Sequence, residues 1–156
     1  MHKTRNDMTL RTRTAMVQLL NARLADALDL AAQAKQAHWN VRGANFIALH
    51  ELFDKLHAVA GEAADELAER AVALGGIASG TLQTAARNTT LAPYPEGVSE
   101  SRAHLEALAG AFASFGKNIR KAIDVADKAG DADTADLFTG ISRDADKYLW
   151  MLEAHL

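Results

Sequence analysis

Residues 75–97 read GGIASGTLQTAARNTTLAPYPEG, and this stretch decides the fold. It holds both prolines, Pro93 and Pro95, and it separates two segment pairs that contain almost no helix breakers. Upstream, Val17, Leu20, Leu24, Ala27, Ala31, Ala34 and His38 recur at alternating spacings of three and four, the inward stripe of a helix. Past a short break at Gly43 the pattern resumes with Phe46, Leu49, Phe53, Leu56, Ala60, Ala63, Leu67 and Leu74. Downstream, Leu105, Leu108, Phe112, Phe115, Ile119, Ala122 and Ala126 form a third stripe, opening near Ser99 as N-cap. Beyond Gly130, Leu137, Ile141, Ala145, Leu149 and Leu152 form a fourth, behind Asp133 as N-cap. The breaks at Gly43 and Gly130 are short, so helices one and two are antiparallel, as are three and four. Residues 75–97 are far too many for a tight turn and must travel the length of the bundle, about 45 Å for helices approaching 30 residues. A connection that long without structure is uncommon, so a short helix is expected over Thr81 to Arg87. The predicted fold is all-α: a four-helix bundle with a long crossover containing a short helix between helices two and three.

The composition suits one domain over residues 1–156, with 49% apolar and 24% charged residues and no cysteine. Residues 1–8 carry no apolar core of a leader peptide and are expected to form a short basic tail. The longest uncharged run, Ala71 to Ala86, is broken by Gly75, Gly76, Ser79, Gly80 and Gln83 and is no membrane span. Seventeen Lys and Arg against twenty Asp and Glu give a net charge of -3, which excludes nucleic-acid binding by bulk charge. Only the N-terminus is basic: Lys3, Arg5, Arg11 and Arg13 against Asp7 leave a formal +3 there. Weak, sequence-independent DNA binding through these four residues is expected at low salt, strengthened only by multivalency in an assembly.

Helix two carries the chemistry. His50 and Asp54, then Asp65 and Glu69, are i, i+4 pairs, each able to aim two ligands at one spot. At about 100° per residue all four fall within an arc of roughly 100°. Asp54 and Asp65 are nevertheless eleven residues apart, about 16 Å along the axis, so one chain cannot bring both pairs to one metal. The two pairs share a midpoint between Val59 and Ala60. A two-fold axis there sets His50 and Asp54 of one chain beside Asp65 and Glu69 of another. The small residues Ala58, Ala60, Gly61, Ala63 and Ala64 around it permit close approach. His38 ends the first stripe, where the Gly43 hairpin can bring it towards helix two. Two imidazoles and three carboxylates suit Fe(II), Mn(II) or Zn(II), and the carboxylates favour a ferric product. The Glu-x-x-His pairs of intrasubunit di-iron bundles are missing, since only Asp54-x-x-His57 occurs, and His50 to Asp54 lacks the second histidine of H-E-x-x-H.

Two runs stand out, His38-Trp39-Asn40-Val41-Arg42-Gly43 continuing through Phe46 to Leu49-His50-Glu51 and Asp54, and Asp65-Glu66-Leu67-Ala68-Glu69-Arg70 leading to Leu74-Gly75-Gly76. They resemble the signatures of the Dps family, dodecameric mini-ferritins with the ferritin-like bundle that protect bacterial DNA. Thr4-Arg5-Asn6-Asp7 and the segment from Asp133-Thr134-Ala135-Asp136 through Ser142-Arg143-Asp144 to Leu149-Trp150 extend the likeness over nearly the whole chain. The resemblance implies a ferroxidase: Fe(II) bound by His38, His50 and Asp54 of one subunit and Asp65 and Glu69 of its two-fold mate is oxidised, preferentially by hydrogen peroxide. Ferric mineral is then stored inside the shell. It further implies that Trp39 lies near the iron, although packing in the core or an interface is its simpler role. It implies too that Asp133 and Asp136 line an iron-entry pore, and that the protein is cytoplasmic and can associate with the nucleoid. The rival expectations are an architectural protein that condenses DNA with little catalysis, and a helical oligomer that holds Zn(II) or Mn(II) structurally.

Overall fold

A computed structural model describes all residues, 1–156. Five helices follow one another: α1 (Leu10–Asn40), α2 (Phe46–Ala73), α3 (Leu82–Asn88), α4 (Ser101–Lys128) and α5 (Ala132–Glu153). The helix α1 packs mainly on α2 and α4 mainly on α5, with thinner seams between α1 and α4 and between α2 and α5. No helix is long and apolar enough to cross a membrane.

The heptad-like stripes become the core. Val17, Leu20, Leu24, Ala27, Ala31 and Ala34 are buried, as are all seven named positions of α4. Phe46 departs from its stripe: it opens α2, where no preceding turn covers it, and is 38% exposed. Leu137 and Leu149 are half-buried at the edge, and the fully buried Phe138 takes the central place in α5.

The expected short helix forms one residue later than Thr81 to Arg87, because Thr81 serves as the cap, its hydroxyl accepting from Thr84 N. What fixes the crossover is a row of polar side chains along α1. Asn21 donates to Ile77 O and accepts from Ser79 N at 2.7 Å. The fully buried Asp26 accepts from Thr90 N at 2.7 Å and from its hydroxyl at 3.0 Å. Asp29 accepts from Thr89 Oγ1, and Gln33 donates to Ala92 O. At the far end Tyr94 Oη lies 2.5 Å from Nδ1 of the buried His104. Desolvation pushes the Tyr94 phenol up to about 12 and the His104 imidazole down, so both stay neutral near pH 7.

Two expected caps move. Asp131, not Asp133, caps α5: its carboxylate accepts from Thr134 N and Thr134 Oγ1, the N-cap to N3 spacing that Asp133 lacks from inside the first turn. Arg70 of α2 reaches across to that cap, donating to Asp131 at 2.8 Å and to Thr134 Oγ1 at 2.9 Å. Ser99 does not cap α4. Its carbonyl accepts from Arg42 N, so the helix begins after Glu100.

The turn after α2 is tight enough to require glycine. Gly75 adopts φ +84°, and its carbonyl accepts from His2 N at 2.6 Å. A Cβ on Gly76 would stand 2.4 Å from Val17 Cγ1 and 2.8 Å from Ala71 O. Gly76→Ala is therefore expected to cost about 1–3 kcal/mol and lower the unfolding midpoint by roughly 3–10 °C in calorimetry. An unchanged midpoint would show that the α1–α2 contact is loose.

Candidate metal centre on helix α2

The buried positions of α2 face α1, α4 and α5, and the opposite face is left to solvent. On it lie, in order, Ile47, His50, Asp54, Ala58, Gly61, Asp65, Glu69 and Val72. Ile47 and Val72 are 62% and 54% exposed, an arrangement that water disfavours. The sequence of residue types along this face is nearly the same read in either direction: apolar, ligand, ligand, small, small, ligand, ligand, apolar. Its midpoint lies between Val59 and Ala60, which is also the midpoint of α2 itself.

The hairpin after α1 brings His38 onto His50. Their rings stack with centroids 3.7 Å apart at 21°. His38 Nδ1 lies 2.8 Å from His50 O, and His50 Nδ1 lies 2.8 Å from His38 O. A carbonyl oxygen only accepts, so both Nδ1 atoms carry the proton and both Nε2 atoms present lone pairs. A backbone carbonyl at Nδ1 fixes the tautomer and ring orientation of a histidine whose Nε2 is to bind a metal. Phe46, 5.0 Å from the His50 ring, closes one side.

Asp54 Oδ1 is 3.9 Å from His38 Nδ1 and takes an ion pair from Lys35 Nζ. The Lys35 hydrogen bond holds the Asp54 carboxyl below the usual carboxylate range. Asp65 and Glu69, both exposed, stand away from this trio on the same unbroken helix. Within one chain no three His, Asp or Glu side chains converge on a metal position. The structure thus brings His38, His50 and Asp54 close to one another and places Asp65 and Glu69 further along the same exposed face of α2.

Trp39 projects outward and is 67% exposed, which removes it from the core. Asp133 and Asp136 are exposed at the start of α5, with Asp133 3.8 Å from Arg70. Lys3, Arg5 and Arg11 are exposed. Arg13 is spoken for, donating to Leu74 O at 3.0 Å and to Met8 O at 3.2 Å. Sequence reasoning missed Lys35, which sits nineteen residues from its carboxylate partner. The i, i+3 spacing of Lys35 and His38 on α1 is the one signal that both reach α2.

The bundle, its crossover and this His and carboxylate face define a ferritin-like protein, and the ferritin-like domain family matches residues 17–156. Within that class the chain belongs to the DNA protection during starvation family, Dps. It is 46% identical over 155 residues to the DNA protection during starvation protein of Agrobacterium fabrum, covering 99% of this chain and 96% of that one. Among solved structures, DpsC from Streptomyces coelicolor superposes with a TM-score of 0.94 at 33% identity, covering 98% of this chain and 90% of the other. Dps from Microbacterium arborescens in the high iron form gives 0.88 at 36%, covering 94% and 95%.

Lys35→Met is expected to let the Asp54 carboxyl rise towards its ordinary range. At pH 7 that carboxyl is ionised either way, so losing the competing ammonium tightens Zn(II) binding about fivefold in calorimetric titration. Proton competition then begins at a higher pH than in the wild type. Weaker binding would mean that Lys35 positions Asp54 instead of occupying it.

Proposed function

We propose that this protein is an iron-oxidising and iron-storing member of its family, and that its ferroxidase site is built between two chains. The observation that carries the reading is the mirrored face of α2. When two copies pair antiparallel about its midpoint, Ile47 meets Val72, Ala58 meets Gly61, and His50 and Asp54 of one chain meet Glu69 and Asp65 of the other. Both exposed apolar residues are covered, and the small pair lets the helices close. Each such pairing makes two identical sites, one on either side of the axis.

In each site the Nε2 atoms of His38 and His50 and the carboxylates of Asp54, Asp65 and Glu69 would hold Fe(II) as substrate. Three carboxylates neutralise the charge gained on oxidation to Fe(III), which is why a hard, oxygen-rich set favours the product. Hydrogen peroxide is the proposed oxidant. Two Fe(II) ions held in one such site each give up one electron, two protons are taken up from solvent, the O–O bond breaks, and both oxygens leave as water. Taking the electrons in pairs releases no hydroxyl radical, which protects nearby DNA. The family resemblance supports a closed shell of twelve chains, roughly 200 kDa, with mineral inside. In that assembly Trp39 packs at an interface near the iron. Asp133 and Asp136 lie at an entry pore, where their charge gathers Fe(II). DNA contact through Lys3, Arg5 and Arg11 is weak, because Arg13 is committed to the turn after α2.

Asp54→Ala and Glu69→Ala are each expected to abolish peroxide-driven Fe(II) oxidation, read as ferric absorbance after rapid mixing. The two variants, dissociated and reassembled together, should recover activity, since a hybrid pair keeps one complete site. Proven hybrids without recovery would exclude a shared site.

A further inference from the structure

On the seam between α1 and α4, away from α2, lies a cleft of about 280 Å3 lined by Arg23, Thr90, Ser114, Lys117, Asn118 and Lys121, with no apolar side chain among them. We infer that this cleft is a second, separate site that binds a phosphate-class oxyanion, independent of the iron chemistry on α2.

Its wall is prearranged. Asp26, fully buried, hydrogen-bonds Thr90 through Oδ1, and its Oδ2, which accepts no hydrogen bond, is ion-paired with Arg23 at 3.1 Å. Asn118 of α4 donates to Thr90 Oγ1 at 2.9 Å, so three segments of chain are locked around the opening. Asp26 balances the charge of Arg23, and the Nε–H of Arg23 finds no acceptor in the chain. Lys117 and Lys121 remain, one helical turn apart on α4, both exposed and neither within ion-pair distance of a carboxylate. Like charges at i, i+4 repel. No carboxylate forms an ion pair with either, and an anion between them would offset both charges. Ser114 and Asn118 line the same face of α4, where their hydroxyl and amide can donate to such an anion.

The contrast with the other seam is sharp. The α2–α5 side has a pocket rimmed by Glu62, Glu66 and Asp144. The charged residues at the two seams thus differ in sign, carboxylates beside the α2–α5 pocket and cationic side chains in the α1–α4 cleft.

Two sources share this chemistry, free phosphate and the phosphodiester backbone of duplex DNA. The test uses the full chain and Lys117→Gln/Lys121→Gln, whose exposed side chains leave the fold and the Fe(II) oxidation rate unchanged. Calorimetric titration with inorganic phosphate is the first arm. Saturable binding that the double variant weakens at least about tenfold supports the site with free phosphate as its source. Retention of duplex DNA in a gel, followed against salt, is the second arm. A salt slope that falls by about two in the double variant, while Lys3→Gln/Arg5→Gln leaves that component in place, supports the site with the DNA backbone as its source. If the double variant binds phosphate and DNA as the wild type does, or the wild type binds neither, the proposal is overturned.

Discussion

An α-helix rises 1.5 Å per residue and does not fold back on itself, and that rigidity determines how the centre of this protein is built. The pairs His50–Asp54 and Asp65–Glu69 stand eleven residues apart on the unbroken helix α2, so within one chain they cannot meet at one metal. In the proposed centre three residues come from one chain and two from its mate. The same helix offers the docking surface, with exposed apolar residues at its ends and Ala58 and Gly61 at its centre. Ligation and association are thus two uses of one helical face.

The rest of the fold keeps that face clear. The crossover is drawn along α1 by Asn21, Asp26, Asp29 and Gln33, and the α4–α5 pair closes the core from the other side. Burying Asp26 would be costly without partners; Thr90 and Arg23 supply them. The reciprocal bonds between the His38 and His50 rings and backbone carbonyls fix both tautomers before any metal arrives. Little reorganisation is then needed at the nitrogen side of the centre.

Much of the fold was legible from the sequence, because burial in a bundle follows the 3.6-residue period: every named position of the α4 stripe is buried, as are those of α1 from Val17 to Ala34, whereas His38 is half-buried and the buried Met16, Leu30 and Ala37 lie off the stripe. The length of the 75–97 stretch alone implied its path. What the period does not report is how polar residues are used. Asn21, Asp26, Asp29 and Gln33 look like a solvated face until the crossover is seen lying on them. Three aspartates crowd the start of α5, and only the backbone shows that Asp131, held by Arg70, has the capping distance. Lys35 was invisible beside Asp54 because the pair joins two helices. On helix two, by contrast, the shared face of His50, Asp54, Asp65 and Glu69 could be counted from the sequence, since positions on one rigid helix are fixed by their spacing.

The central claim, a metal site completed by two chains, is tested most directly by anomalous diffraction from crystals soaked in Fe(II) without oxidant, or in Zn(II). The account predicts anomalous peaks in symmetry-related pairs about the α2 two-fold, each bounded by His38 Nε2, His50 Nε2 and Asp54 of one chain and by Asp65 and Glu69 of its mate. Metal bound wholly within one chain, or a packing in which the α2 faces do not meet, would contradict it.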